Sequence, residues 1–453
     1  MRTENNLDTD QIKGLVWRLA IPSMLAQFVN VMYSIVDRMY IGNIPEVGAM
    51  ALAGVGICGP VVTLISSFAS WIGVGGAPLM SIRLGQKNEK AAARMVANCF
   101  ALLTGMALVI MVAAYLLKDQ LLVFFGAGPS IFPYADQYMT WYLAGTLFAL
   151  LSTGMNQFII CQGFATVGMK SVVLGAVSNI VLDPVFIFWL DMGVKGAAVA
   201  TVLSQMASCA YVLLFLFGRR PMVRITFGGY SWNVMKQVLT VGLSPFLIIA
   251  SDSLLIIVMN MVISKYGGTE NSDMLLTCNT IVQSFMLMIT MPLGGITGGT
   301  QTIMGYNYGA GRPDRIRRAE KHIVLLAAGF TAVMFLIAQV IPGAFVMIFT
   351  RQKEYIQVTE WAIRIFTLCI IPLAVQYTVV DGFTGMGIAK VAISLSLFRK
   401  TIYFLGMILL PQLFGVEAVF YAEPISDLIA CATSTVTFLL LSGRVLGDGK
   451  RLF

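Results

Sequence analysis

The chain has 453 residues, with 30 Lys and Arg against 22 Asp and Glu, a net charge of +8 and only 11% charged side chains, under half the roughly 25% of an ordinary soluble domain. Apolar residues make up 58% and mean hydropathy is +0.82, so a soluble fold would lack the polar surface to cover itself, and most apolar side chains must face lipid or one another. The basic residues stand in short clusters between apolar runs rather than along one face, which excludes nucleic acid as a partner and makes the lipid bilayer the expected one.

The first residues, Met1 to Asp10, are polar and lack the n-region, h-region and cleavage site of a leader, so nothing is expected to be removed. Apolar stretches of the roughly 20 residues a bilayer needs follow at 14–42, 50–80, 92–117, 134–165, 168–190 and 194–217, then at 234–266, 274–305, 320–350, 357–385, 388–412 and 416–442. About twelve transmembrane helices are predicted, an all-α membrane protein. Its expected organisation is a tail at 1–13, a six-helix lobe at 14–217, a polar linker at 218–233, a second six-helix lobe at 234–442 and a tail at 443–453.

Counting Lys and Arg in alternate loops, with Arg399 and Lys400 taken as loop residues, puts 23 on the side of the termini and seven on the other. By the positive-inside rule both termini are cytoplasmic, in a multi-pass protein of the cell's inner (plasma) membrane.

The halves repeat. At an offset of 224, Gly75 meets Gly299, Met80 meets Met304, Gly85 meets Gly309 and Arg94 meets Arg318; Pro22 pairs with Pro245, Gly42 with Gly267, and Gly163, Phe164 and Gly168 with Gly382, Phe383 and Gly387. Each half holds an even number of spans, so the repeats are parallel and pseudo-symmetric around a central cavity. That is a transporter architecture, in which two bodies rock about a site. Gly294/Gly298 and Gly295/Gly299 fit close helix packing or a bend. Two nearly equal lobes in one chain point to a working monomer.

Intramembrane acids are the informative residues, because an ionised carboxylate in lipid needs a cavity or a partner. They are Asp37, Asp183, Asp252, Asp381 and, near the expected start of the last span, Glu423 and Asp427. In S-N-I-V-L-D-P, Asn179 and Asp183 lie four apart on one helix face, and Pro184 removes a backbone donor and tends to kink the helix. With Asp37 and Thr201 they offer carboxylate, amide and hydroxyl oxygens, a donor set for a hard cation such as Na+. Equally, two neighbouring carboxylates in low dielectric can share a proton and carry it. An ion-free alternative makes Asn179 and Asp183 an interhelical hydrogen-bonding pair. The 27 Met and 28 Phe suit a pocket for varied hydrophobic cations, although most must be ordinary packing residues.

Other chemistry is excluded. One histidine, His322, rules out H-E-x-x-H zinc sites; no Walker motif occurs, so the chain cannot hydrolyse ATP; and no nucleophile–base pair or metal cluster marks an enzyme. The seven cysteines are scattered singly and read as buried hydrophobes. Gly54, Gly56 and Gly59 spell G-x-G-x-x-G inside an apolar span rather than after a strand, and carry no nucleotide.

The first-span sequence I-P-S-M-L-A-Q-F-V-N-V-M-Y-S-I-V-D-R-M-Y-I-G, then A-L-A-G-V-G, G-Q-K-N-E-K, V-S-N-I-V-L-D-P-V-F-I-F and P-L-G-G-I-T-G-G-T-Q-T-I-M-G-Y-N-Y-G-A-G-R resemble the multidrug and toxic compound extrusion (MATE) family over nearly the whole chain. Its DinF-like branch looks most similar. The resemblance implies a cation-coupled exporter of amphipathic, cationic small molecules, exchanging them for H+ or Na+, with no other cofactor. It implies an ion site at Asp37, Asn179, Asp183 and Thr201, the same set as the side-chain chemistry, and a fourth-span tyrosine for which Tyr138 and Tyr142 are both open. The NorM-like branch uses acids of the C-terminal lobe; Asp252 falls close to one such position, Asp381 does not align cleanly with another, and the two stand as candidates for a second acidic site. A flippase of lipid-linked substrates shares a related fold, but would carry extra spans and a strongly cationic cavity. A major facilitator would carry G-x-x-x-D-R-x-G-R-R where S-I-R-L-G-Q-K-N-E-K stands.

Overall fold

Backbone in lipid must satisfy its own hydrogen bonds, and helices do so within each segment. The computed structural model describes residues 5–125 and 127–447, without the side chains at 49, 253, 268–273 and 442–447. Its first half contains α1 (Ile12–Gly42), α2 (Gly48–Gly85), α3 (Glu89–Phe124), α4 (Phe132–Ala144), α5 (Thr146–Ile160), α6 (Ala165–Pro184) and α7 (Gly193–Phe217). The second contains α8 (Trp232–Tyr266), α9 (Gly268–Gly309), α10 (Pro313–Val340), the short α11 (Pro342–Val346), α12 (Lys353–Phe366), α13 (Ile370–Gly385), α14 (Ala389–Phe414) and α15 (Ala422–Gly447). Among the described residues, ten helices are long and apolar enough to cross a membrane, and two bent pairs, α4–α5 (57°) and α12–α13 (47°), bring the number to twelve. The bent span is fourth in each half, as a parallel repeat requires, and no strand occurs among the described residues.

Local geometry fixes the register of the repeat. Lys87 (φ 57°) and Gly311 (φ 66°), 224 apart, both take left-handed backbone at the turn into α3 and α10. The next residues, Asn88 and Arg312, cap those helices with nearly the same angles. Gly163 (φ 88°) and Gly387 (φ 75°), also 224 apart, make the turns after α5 and α13. This corrects the expected pairing of Gly163 with Gly382: the shared Gly-Phe dipeptide is a coincidence, and the equivalent glycine is the one whose backbone needs positive φ.

Two apolar cores follow the halves, with exchanges at their edges. Leu15, Val16 and Leu19 of α1 belong to the core of the second half, while Ile41 at its far end belongs to that of the first. Val238 of α8 returns the exchange. Between the lobes, α2 meets α8 and α9 at backbone distance: a Cβ on Gly242 would lie 1.7 Å from the Trp71 carbonyl oxygen, and one on Gly309 2.1 Å from that of Ile82. The Trp71 indole N–H donates to the Leu239 carbonyl at 2.8 Å, and Trp71 stacks on Phe246. Of the expected glycine pairs, Gly295 and Gly299 press on Ser23 of α1, whereas nothing lies within 4 Å of a Cβ on Gly294 or Gly298.

The segment before α1 ties the lobes together. The Asn5 amide donates to the Gly163 carbonyl at 2.8 Å in the first lobe. Arg315 of the second lobe donates to the Leu7 and Asp10 carbonyls, and Arg312 pairs with Asp8 at 2.6 Å. The linker is shorter than expected, because α8 already begins at Trp232. It is pinned rather than loose: Gln162 accepts from Val223 N–H, and Asn98 accepts from Ser231 N–H, each at 2.8 Å. Arg2, Lys450 and Arg451 lie outside the described residues, as does the Arg444 side chain, and the expected tail at 443–453 is described only to Gly447, as the end of α15.

Candidate ion-coupling site

Asp37, Asn179, Asp183 and Thr201 come from α1, α6 and α7 and meet in one buried cluster. Their exposures are 8%, 1%, 0% and 4%. Four-residue spacing on α6 places Asn179 beside Asp183, and its amide donates to Asp183 Oδ1 at 3.2 Å and to Thr201 Oγ1 at 3.3 Å. The carboxyl of Asp37 reaches that of Asp183. Each of the three helices therefore contributes, and the cluster exists only while they are packed together.

After Pro184 the helix does not simply kink. Pro184 has no N–H, and the chain runs on as a π-helical turn, Val185–Trp189, closed by Leu190 N–H to Val185 O at 2.9 Å. Such turns are rare and concentrate at functional sites.

The cluster is not self-satisfied. Asp37 Oδ1, Asp183 Oδ2 and Asn179 Oδ1 are buried acceptors without hydrogen-bond partners, whereas buried polar atoms are nearly always paired. Unpartnered acceptors and neighbouring carboxylates are what a proton or a hard monovalent cation would satisfy. A plain hydrogen-bonding pair would leave no such surplus.

Tyr138 and Tyr142 both line this region, stacked with ring centroids 5.9 Å apart. Tyr142 lies beside Gln205 and Ser66, while Tyr138 lies near Asp37. Gln205 and Tyr33 escaped the sequence reading, although spacing offered a signal: Gln205 follows Thr201 by four residues and Tyr33 precedes Asp37 by four. Gln205 Oε1 is a further unpartnered buried acceptor.

Asp252 and Asp381 do not share partners. Asp252 of α8 pairs with Lys400, whereas Asp381 of α13 lies beside Thr297 and Gln301 of α9 and near Glu320. Arg399 and Lys400, expected in a basic loop, lie in the middle of α14. The reason is pairing: Arg399, buried, holds Glu423 at 3.0 Å and Asp427 at 2.7 Å, and a charge so neutralised can stay in the helix.

A family model described as MatE matches residues 22–185 and 247–409, one copy in each half. The chain belongs to the MatE family. As a MatE chain with ten to twelve apolar helices of spanning length among its described residues, it is a multi-pass membrane protein. Among curated relatives, the multidrug export protein MepA of Staphylococcus aureus is 20% identical over 437 residues, covering 96% of this chain and 95% of its own length. MepA of Staphylococcus haemolyticus is 19% identical over the same length, 96% and 94% covered. Among solved structures, a multidrug resistance MATE transporter of the MOP superfamily in an outward-facing conformation superposes with a TM-score of 0.91 at 22% identity, covering 98% of this chain and 99% of that one. A MOP superfamily transporter from Pyrococcus furiosus, for which reversed pocket polarity is reported to suggest a different function, gives the same score at 23% identity and the same coverage. The MatE fold of this chain is thereby shown, an all-helical membrane protein in two six-helix halves.

Proposed function

We propose that this MatE protein is a secondary antiporter that exports amphipathic, cationic small molecules by alternating access, driven by inward movement of H+ or Na+ through the cluster of Asp37, Asn179, Asp183 and Thr201. The observation that carries this reading is three unpartnered, buried acceptor oxygens gathered around two carboxylates from different helices. The curated relatives' description as multidrug export proteins supports the substrate class, and the excess of basic residues on the side of the termini supports cytoplasmic ends.

An ion drives change only by binding one conformation better than another. Here the ligands come from α1, α6 and α7, so loading the site draws those helices together and unloading releases them. Because α1 also enters the core of the second lobe, a shift of α1 is felt across the molecule.

The test is efflux of a dye cation from vesicles holding the purified protein, under a Na+ gradient and a pH gradient applied separately. Efflux should follow one gradient and fall at least about tenfold, more than 1.4 kcal/mol of coupling, in both Asp37→Asn and Asp183→Asn, while both variants remain folded in the membrane. Unchanged efflux in both variants would remove the site assignment; no gradient-driven efflux of any cation would remove the substrate class.

A further inference from the structure

The turns that open α3 and α10 are copies, and so are the segments that approach them. At the offset of 224, Arg83, Lys87, Lys90 and Arg94 correspond to Asn307, Gly311, Asp314 and Arg318. The pairing of Pro22 with Pro245 sets Leu15 of α1 against Val238 of α8, and both of these cross into the opposite core. The same register sets Asp8 and Asp10 against the uncharged Ser231 and Asn233. At the α9–α10 turn the cations are therefore answered from within the chain: Asp8 pairs with Arg312, and Arg315 donates to the Leu7 and Asp10 carbonyls. At the α2–α3 turn those acids are missing. Arg83 donates to Gln86 Oε1 at 3.1 Å, and none of Arg83, Lys87, Lys90 and Arg94 takes part in an ion pair among the described residues. Glu89, the one acid of this turn, lines a neighbouring cavity with Lys87 and Asn5.

The remaining three cations surround a cavity of about 460 Å³, walled by Arg83, Asn88, Lys90 and Arg94 of the first lobe and by Val234 and Gln237 of α8. No described carboxylate lines it. Arg83 is half-buried, and Lys90 and Arg94 stand exposed at the rim. The cavity lies where α2 ends at Gly85 and where α3 and α8 begin at Glu89 and Trp232, and the ends of spans are where a bilayer presents its headgroups. The linker beside it is tied to α3: the Asn98 amide donates to the Gly229 carbonyl at 3.3 Å, and a Cβ on Gly229 would lie 3.4 Å from Arg94 Nε. From this anchored stretch Phe227, Tyr230 and Trp232 turn outward, 74%, 53% and 67% exposed. Aromatic rings so placed sit at the membrane–water interface. A dissolved anion makes no use of them, whereas a lipid meets them with its glycerol and upper acyl groups.

We infer that Arg83, Lys90 and Arg94, with Asn88 and Gln237, form a binding site for the phosphate-bearing headgroup of an anionic phospholipid at the seam between the lobes. Guanidinium groups match phosphate oxygens in pairs, and basic pockets between membrane helices recognise anionic headgroups by this chemistry. The lipid supplies at this seam what residues 5–10 supply at the other, an anionic bridge between the first lobe and the second. Its effect on export rests on the antiporter reading, but binding itself does not, so the two can fail independently.

The experiment is native mass spectrometry of the full-length protein in detergent, titrated separately with dioleoyl phosphatidylglycerol, dioleoyl phosphatidylcholine and inorganic phosphate. The protein should hold one phosphatidylglycerol at least about tenfold more tightly than phosphatidylcholine, since each basic residue beside an anionic headgroup is worth about fivefold in affinity. Combining Arg83→Gln, Lys90→Gln and Arg94→Gln should erase that preference. Combining Arg317→Gln, Arg318→Gln and Lys321→Gln, which removes the same charge from the start of α10, should keep it. Arg83→Gln alone should cost about fivefold at an unchanged melting temperature, which separates a lost site from a lost fold. No preference for phosphatidylglycerol, equal loss in the two triple variants, or no cost from Arg83→Gln overturns the proposal. Inorganic phosphate that binds as tightly as phosphatidylglycerol and displaces it makes this a site for a free anion and overturns the lipid assignment.

Discussion

Arg399, Glu423 and Asp427 show how a residue's meaning depends on what it meets. One guanidinium reaches both carboxylates, and the Asp427 side chain is wholly buried. Removing Arg399 alone strands two acids, and breaking such a buried pair typically costs about 3–5 kcal/mol. Arg399→Met should therefore depress the thermal midpoint severely, and adding Glu423→Gln and Asp427→Asn should restore most of it; no recovery in the triple variant would show that the arginine acts through something other than its partners. At the ion cluster, Thr201 accepts from Asn179 and offers an oxygen of its own. Thr201→Val keeps the shape and deletes that oxygen, so the cation concentration for half-maximal efflux should rise by roughly tenfold with little loss of folded protein. Spacing made Asn179 and Asp183 legible as one face, and the rarity of acids in lipid singled out Asp37; Tyr33, Gln205 and Glu320 were hidden because each looks like an ordinary polar residue until its neighbours are known.

Among elements, the long helices were readable from apolar length, and their bounds moved mostly outward, as when α9 runs to Gly309. What length could not give was the break in the fourth and tenth spans: the 57° bend at Gly145 has no proline beside it, whereas Pro372, which has no N–H to donate to the Leu368 carbonyl, stands just after the 47° bend at Thr367–Cys369. Glycines divide in the same way. A Cβ on Gly242 would collide with Trp71 backbone, whereas Gly298 faces open space. Gly242→Ala should force α2 and α8 apart, abolish efflux and lower the melting temperature. Gly298→Ala should be neutral or stabilising by about 0.5–1 kcal/mol, the ordinary helix preference for alanine. Equal behaviour of the two in thermal melts and efflux would contradict this description of the seam.

For the whole molecule, the lobes are joined by exchange as well as by contact. The first turns of α1 sit in the core of the second lobe, Val238 of α8 sits in that of the first, and residues 5–10 are held by Gly163 on one side and by Arg312 and Arg315 on the other. If the protein works by the alternating access proposed above, this end must open, and the clasp opposes that opening. Replacing both arginines with alanine should shift spin-label distances across this end toward the separated population and raise its accessibility to a thiol reagent; unchanged distances would mean the clasp contributes nothing to the balance. Since Arg312 and Asp8 are partly exposed, that ion pair should weaken as salt is raised.

Composition and spacing were enough to establish that the chain lives in lipid, that it crosses about twelve times and that its halves are parallel copies, and to single out Asp37, Asn179, Asp183 and Thr201 as candidates for one donor set. These follow from local composition and spacing, which act within a helix or repeat copy by copy. Tertiary structure alone decided that Arg399 and Lys400 are paired inside a helix, that Asp252 and Asp381 keep different company, that Gly163 answers to Gly387, and that Glu320 is left without a hydrogen-bond partner. Those depend on which distant side chain fills the remaining hydrogen-bond and charge capacity of each group. That choice is made by packing between helices, and no periodicity along one of them records it.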